Sequence, residues 1–175
     1  MTIELFDPAG EVEAMARQVQ RVVPSLKGRR VGCIFNQHVS AIAFWQALEE
    51  EIGRTQQPAN VLRIYKTNTW APAPRADAER LLAETDFALV GVGAGGSCTS
   101  GAVRDGIFLT RAGHPTVVFV HDFFEKAARA QAKALGMPEL KIYVYPQHKA
   151  GDFEAGEIVK GTQAARELPD WLETL

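Results

Sequence analysis

Short apolar runs alternate with segments of helical spacing along the chain, and this alternation limits the possible folds more than any other feature. Buried strands are predicted at Arg30–Phe35, Asn60–Tyr65, Asp86–Val92, Thr116–Val120 and Lys141–Tyr145. Strands that alternate with helices pair in parallel and are covered by helices on both faces. Right-handed crossovers then favour a flavodoxin-like strand order, 2-1-3-4-5. We therefore expect an α/β three-layer sandwich with a five-stranded, mainly parallel sheet.

Helices are predicted before, between and after these strands. The segments with helical spacing are Pro8–Val23, Ser40–Ile52, Asp77–Glu84, Gly101–Ala112, Phe123–Leu135 and, approximately, Phe153–Arg166. Gly53 is expected to end the second helix, since glycine is a common C-terminal stop. Pro169-Asp170-Trp171 is expected to start a separate short turn after the last helix.

The composition fits one domain over residues 1–175 and excludes several classes of partner. The chain is 46% hydrophobic and 23% charged, with a net charge of −2. This balance offers no basic surface for nucleic acid or an anionic membrane. No apolar run approaches the roughly 20 residues that span a bilayer, and we expect no signal peptide. The two cysteines, Cys33 and Cys98, are expected to be free thiols in a reducing cytoplasm.

The glycine-rich stretch from Gly91 to Gly101 follows the third predicted strand and is the chain's most distinctive motif. Its glycines predict a sharply turning backbone that approaches a ligand closely. Ser97, Thr99 or Ser100 is expected to cap the helix that follows. Cys98 would then lie beside the positive end of a helix, where a thiol ionises most easily.

Polar residues follow all five predicted strands at their carboxyl ends, where ligands bind in sheets of this kind. They are Asn36, Gln37 and His38; Lys66, Thr67 and Asn68; Cys98 and Thr99; His121 and Asp122; and Tyr145, Gln147 and His148. In contrast, Cys33 lies between apolar neighbours and is expected to be a buried structural thiol. His114 lies at the opposite end of the sheet and is expected to be structural.

Two cofactor-dependent alternatives fit the motifs less well. Cys98 with His38, His121 or Asp122 could form a three-ligand zinc site, but no pair of these residues has the close spacing of most metal sites. Gly91-x-Gly93-x-x-Gly96 matches a dinucleotide-binding pattern, but it follows the third strand rather than the first. We therefore expect neither a metal nor a cofactor.

Nucleophilic catalysis requires a thiolate, a proton acceptor and donors for developing negative charge. Cys98 supplies the first, His121 or His38 the second, and the backbone N–H groups of Gly95, Gly96 and Thr99 the third. Lys66 is expected to attract an anionic substrate or to favour the thiolate. The predicted substrate-binding residues are Asn36, Lys66, Gly95, Gly96, Ser97, Thr99, Asp122 and Tyr145.

The stretch GVGAGGSCTSGAVRDGI, residues 91–107, resembles the UGSC family of (seleno)proteins. The resemblance continues through residues 112–117, Asp122-Phe123, residues 134–138 and Tyr145-Pro146. In that motif, a selenocysteine or cysteine precedes a Gly-Ser-Cys run, which residues 96–98 match. The position of the first chalcogen is occupied by Gly95, so the resemblance implies that this chain keeps only the second.

These observations together predict a small cytoplasmic enzyme in which Cys98 attacks an anionic or carbonyl-bearing small molecule. One alternative is a binding module without catalysis, or a degenerate subunit that pairs with a paralogue carrying the intact motif. Another is a redox protein in which Cys98 forms a mixed disulfide with a small thiol. The chain could also form a homo-oligomer.

Overall fold

The structure is a computed structural model and describes residues 22–148 and 153–173. The helix predicted at Pro8–Val23 lies outside the described residues, except for Val22 and Val23, which are not helical.

A sheet of five parallel strands forms the centre of the molecule. The strands are β1 (Arg30–Phe35), β2 (Asn60–Tyr65), β3 (Phe87–Gly93), β4 (Thr116–His121) and β5 (Ile142–Tyr145). Their spatial order is β2-β1-β3-β4-β5, and every neighbouring pair is parallel. The expected flavodoxin-like order is therefore confirmed.

Helices cover both faces of the sheet. They are α1 (Ile42–Gln56), α2 (Arg75–Glu84), α3 (Gly96–Arg111), α4 (Glu125–Ala134) and α5 (Glu154–Leu172). Apolar residues of α1 and α5 pack on one face, and those of α2, α3 and α4 pack on the other. This arrangement is the three-layer α/β sandwich expected from the sequence.

Alternation along the strands decides which residues face which helix layer. In β4, Val117 and Phe119 pack towards α1 and α5, whereas Val118 and Val120 pack towards α3 and α4. Side chains two residues apart in a strand share a face. The last residue of β4, His121, therefore faces the α1–α5 layer, as does Tyr145 at the end of β5.

Two glycines allow elements near the carboxyl edge to approach closely. A β-carbon on Gly161 of α5 would lie 2.2 Å from the carbonyl oxygen of Phe44 in α1. A β-carbon on Gly101 of α3 would lie 2.4 Å from the carbonyl oxygen of Trp70. Because these distances are too short for any side chain, the glycines fix how α5 lies on α1 and how the β2–α2 loop lies on α3.

The largest differences from the predicted helix bounds are at the end of α1, the start of α3 and the end of α5. Gly53 lies inside α1, which continues to Gln56 and is followed by Gln57 in the left-handed region, with φ 47°. The expected stop at Gly53 is therefore wrong. Pro169 does not start a separate turn, because α5 continues through it to Leu172, a fully buried residue that anchors the last turn. The third helix α3 begins at Gly96 rather than Gly101.

Candidate functional site

The β3–α3 connection is shorter than the predicted glycine-rich loop. Gly91 and Gly93 belong to β3 and Gly96 begins α3, so only Ala94 and Gly95 lie between the two elements. Gly95 has an extended backbone, with φ −161°, a conformation open to any residue. These glycines therefore do not form a left-handed turn.

The N-terminus of α3 has no side-chain cap, contrary to the expectation for Ser97, Thr99 or Ser100. The Thr99 hydroxyl donates instead to the Gly95 carbonyl at 2.6 Å, and its backbone N–H donates to the same oxygen at 2.8 Å. The N–H of Thr99 is therefore not available to a ligand. The N–H groups of residues 95–98 have no acceptor within the helix, because a helix leaves its first donors unpaired.

Cys98 and His38 converge on the space above Gly95. A β-carbon built on Gly95 would lie 3.6 Å from Cys98 Sγ and 4.0 Å from His38 Nε2. Cys98 comes from the first turn of α3, and His38 follows β1. The sequence-predicted nucleophile and one predicted histidine therefore lie beside the same small space.

His38 is oriented by its own turn. Its Nδ1 accepts the backbone N–H of Ser40 at 3.3 Å and lies 2.8 Å from the Ser40 hydroxyl oxygen. A nitrogen that accepts an N–H carries no proton, so the neutral ring carries its proton on Nε2. Burial lowers the pKa of His38, which favours this neutral form. His38 therefore directs an N–H donor, not a lone pair, towards the space above Gly95.

Asn36 ties the ends of β1 and β3 together. Its amide nitrogen donates to the Val92 carbonyl at 2.8 Å, and its amide oxygen accepts the Val92 N–H at 3.0 Å. The same oxygen accepts the His38 N–H at 3.3 Å. The buried Asn36 side chain thus supports the site from beneath, and its polar atoms are engaged by the backbone.

Lys66 lies in a buried ion pair. Its ammonium donates to Asp105 Oδ2 at 3.0 Å and to the Ala71 carbonyl at 2.6 Å, and both charged side chains are 3% exposed. The other oxygen of Asp105 accepts the Ala73 N–H at 2.7 Å. The positive charge of Lys66 is therefore compensated within the protein.

His121 is the most unusual of the predicted site residues. The side chain is fully buried, yet neither ring nitrogen has a hydrogen-bond partner among the described residues. Its ring meets the Tyr145 ring edge-on, with centroids 4.8 Å apart. Burial is the main cause that lowers the pKa of His121 to about 4, and the Lys160 ammonium contributes.

Tyr145 holds its hydroxyl in the same region. Its ring stacks on Phe44 of α1, with centroids 3.9 Å apart, and its buried hydroxyl has no partner in the described part of the chain. Burial raises the pKa of Tyr145 well above the ordinary tyrosine value, and the nearby Glu157 carboxylate contributes. Tyr145 is therefore a neutral phenol at physiological pH.

Asp122 lies beside His121 but is exposed and engaged by the backbone. One carboxylate oxygen accepts the Phe123 N–H at 2.8 Å and the Gln147 N–H at 3.0 Å. Asp122 therefore joins the segments after β4 and β5. Ser97 and Gly96, at the start of α3, are exposed beside Cys98.

Both cysteines are unpaired and buried, and burial raises the pKa of Cys33 well above its ordinary value.

Within residues 22–148 and 153–173, no three His, Cys, Asp or Glu side chains are placed to hold a metal ion. None of the helices described has the length and apolar character needed to cross a membrane.

Sequence reasoning missed Glu157, Lys160 and Asp105. Glu157 is buried at the start of α5, and its Oε1 accepts the Lys160 ammonium at 2.8 Å. The helical spacing of the sequence indicates that Glu157 is buried, because it lies on the same face of α5 as the buried residues Gly161, Ala164 and Leu168. A charged residue on such a stripe requires a partner or a ligand. Asp105 lies on the buried stripe of α3 in the same way.

Comparison with known proteins identifies one family. The sequence model of the UGSC family matches residues 4–175, which confirms the resemblance seen around Cys98. No curated protein matches the chain.

Proposed function

Because the chain belongs to the UGSC family, we propose that its motif cysteine is catalytic: the protein is an enzyme in which Cys98 attacks the carbonyl carbon of a small substrate. The observation that carries this proposal is the convergence of Cys98 Sγ and His38 Nε2, which lie 3.6 Å and 4.0 Å from one point above Gly95. The uncapped start of α3 adds backbone donors to the same space.

The two histidines have different roles in this proposal. His38 Nδ1 is occupied by Ser40, so its Nε2–H stabilises the thiolate or the oxyanion as a donor. His121 is neutral above about pH 4, and a neutral imidazole has one nitrogen with a free lone pair. Since that lone pair has no partner among the described residues, we assign the proton acceptor to His121.

The proposed step adds a thiol across a carbonyl group. Sulfur forms a bond to the carbonyl carbon, the C–O π bond breaks, and its electron pair moves to oxygen. The thiol proton passes to His121, and the oxyanion is held by His38 Nε2–H and by N–H groups of residues 95–98. Transfer of the proton from His121 to oxygen completes the addition, and no oxidant or reductant is needed.

A carbonyl-bearing substrate fits this site better than an anion attracted by Lys66. The ammonium of Lys66 is paired with Asp105 at 3.0 Å, so its charge is compensated. The N–H donors near Cys98 can stabilise an oxygen that gains charge during the reaction. A cytoplasmic location and self-association stay predictions from the sequence.

Alkylation of Cys98 tests the nucleophile directly. The protein is treated with limiting iodoacetamide at pH 6 to 7, and the adducts are mapped by mass spectrometry against a cysteine peptide. We expect Cys98 to react about tenfold faster than the peptide, because hydrogen bonds to charged groups are worth about 1.5–3 kcal/mol. Cys33 should remain unmodified, because it lies inside β1 and burial raises its pKa well above the ordinary value.

The His38→Asn substitution provides a matched variant. Asparagine keeps an acceptor for the Ser40 N–H but removes Nε2–H, so the turn is preserved and the donor is lost. His114→Gln, at the opposite end of the sheet, is the control. Cys98 alkylation should slow several-fold in His38→Asn and stay unchanged in the control. Equal rates for Cys98 and the peptide would contradict the proposal and favour a binding module.

A further inference from the structure

A second group of buried polar atoms lies beside the proposed reactive centre. Six buried side-chain polar atoms have no partner in the described part of the chain, and five of them belong to four residues at one place. These five atoms are His121 Nδ1, His121 Nε2, Tyr145 Oη, His148 Nδ1 and Glu157 Oε2. Folded proteins leave few such atoms unsatisfied, so their concentration indicates a site that a ligand completes.

The four residues form one continuous cluster. The rings of His121 and Tyr145 are in edge contact, with centroids 4.8 Å apart. His148 Nδ1 lies 3.8 Å from Glu157 Oε1, which also accepts the Lys160 ammonium at 2.8 Å. Tyr145 and Lys160 line the same surface cavity, which joins the two groups. We call these five residues the α5 subsite.

The hydrogen-bonding chemistry of the α5 subsite selects its ligand. Glu157 Oε2 can only accept, a neutral imidazole has one donor and one acceptor, and the Tyr145 hydroxyl can do both. An anion offers acceptors alone and leaves Glu157 unsatisfied, whereas an ammonium group offers donors alone. A hydroxyl or a primary amide offers both and satisfies the mixture.

The charges at the α5 subsite also favour a neutral ligand. The Glu157 carboxylate is matched by the Lys160 ammonium at 2.8 Å, so this pair adds no net charge. The His121 ring is neutral at physiological pH because burial disfavours its charged form. A permanently charged ligand group would lose its hydration here without a counter-charge to compensate.

We infer that the α5 subsite binds the neutral hydroxyl- or amide-bearing end of the substrate whose carbonyl group lies at Cys98. His121 connects the two regions, since its ring contacts Tyr145 and it follows Val120, the strand partner of Gly93 at the end of β3 that leads to Cys98. The place of the subsite in catalysis depends on the proposed role of Cys98, but its ligand chemistry does not. The substrate class that follows is a small hydroxy-carbonyl or carbonyl-amide compound.

Ring signals of the histidines test this inference with two probes of the same size. Glycolamide is neutral and carries a hydroxyl and an amide, whereas glycolate is the matched anion. Each is titrated into the full-length protein, and the Cε1–H signals of the four histidines are followed by NMR. We expect glycolamide to shift the His121 and His148 signals with saturation, and glycolate to bind at least tenfold more weakly. His114 is the internal control.

Variants separate this inference from the proposed function. Tyr145→Phe keeps the ring on Phe44 but removes the hydroxyl, so glycolamide binding should weaken several-fold, whereas Cys98→Ala should leave it unchanged. Glycolate binding as tight as glycolamide, no saturable shift of His121 and His148, or no effect of Tyr145→Phe would overturn the inference. Slow alkylation of Cys98 alongside intact glycolamide binding would contradict the proposed nucleophile alone.

Discussion

The substitution Lys66→Met separates a structural role for this lysine from the substrate-binding role expected from its sequence position. It removes an ammonium that donates to Asp105 and Ala71 at 3.0 Å and 2.6 Å. The Asp105 carboxylate is then left 3% exposed, with the Ala73 N–H as its remaining described donor. Breaking a buried ion pair at one partner costs about 3–5 kcal/mol. For a chain of 175 residues, this corresponds to a fall in Tm of roughly 6–20 °C.

The pH dependence of this loss gives a second check. Burial already raises the pKa of Asp105, and the Lys66 ammonium opposes that rise. Without Lys66 the pKa of Asp105 rises further, so the folded variant holds a proton that the unfolded chain has released. The variant should therefore lose least stability in acid and progressively more as the pH rises through the folded pKa.

Urea unfolding of the wild type, Lys66→Met and the double variant Lys66→Met/Asp105→Asn measures these effects. The double variant removes both charges and keeps an acceptor for the Ala73 N–H, so it should regain about half or more of the lost free energy of unfolding. If Lys66→Met unfolds at the wild-type urea concentration, the ion pair does not stabilise the protein and our reasoning about Lys66 is wrong.

Three further predictions follow from individual contacts. Gly95→Cys should fold normally, because Gly95 has an extended backbone with φ −161°. Under mild oxidant the new thiol should crosslink to Cys98, whose Sγ lies 3.6 Å from the new β-carbon, and peptide mapping detects the link. His121 should titrate near pH 4 by NMR. Because this pKa lies below the ordinary histidine pKa of 6.5, the contribution of His121 to stability is complete above pH 6.5 and declines as the pH falls towards 4. Gly161→Val should destabilise the protein by at least about 2 kcal/mol in urea unfolding, since its β-carbon would meet the Phe44 carbonyl oxygen at 2.2 Å.

The strands could be predicted because their signal is local. Each strand is a short apolar run between turn residues, and β1 and β2 have the predicted bounds. Helix ends depend more on tertiary contacts. Gly53 is exposed with nothing within 4 Å of its missing β-carbon, so it costs α1 only about 1 kcal/mol and does not end it. The helix α5 continues past Pro169 because the buried Leu172 stabilises its last turn.

The site could be predicted only in part. The end of each strand places His38, Cys98, His121 and Tyr145 at one edge, and this follows from topology alone. The pairing of Lys66 with Asp105 depends on how the β2–α2 loop lies on α3, for which the sequence has no direct signal. Glu157 reaches the site because α5 lies against α1, so its chemistry emerges only from the folded chain.

The addition of Cys98 to a carbonyl carbon is tested most directly by ¹³C NMR with glycolaldehyde labelled at its carbonyl carbon. This probe carries both the carbonyl group that Cys98 would attack and the hydroxyl that the α5 subsite would bind. We predict a thiohemiacetal signal in the wild type that persists in Cys33→Ser and is absent in Cys98→Ser. A spectrum without this signal, or one in which it survives Cys98→Ser, would contradict the proposed nucleophile.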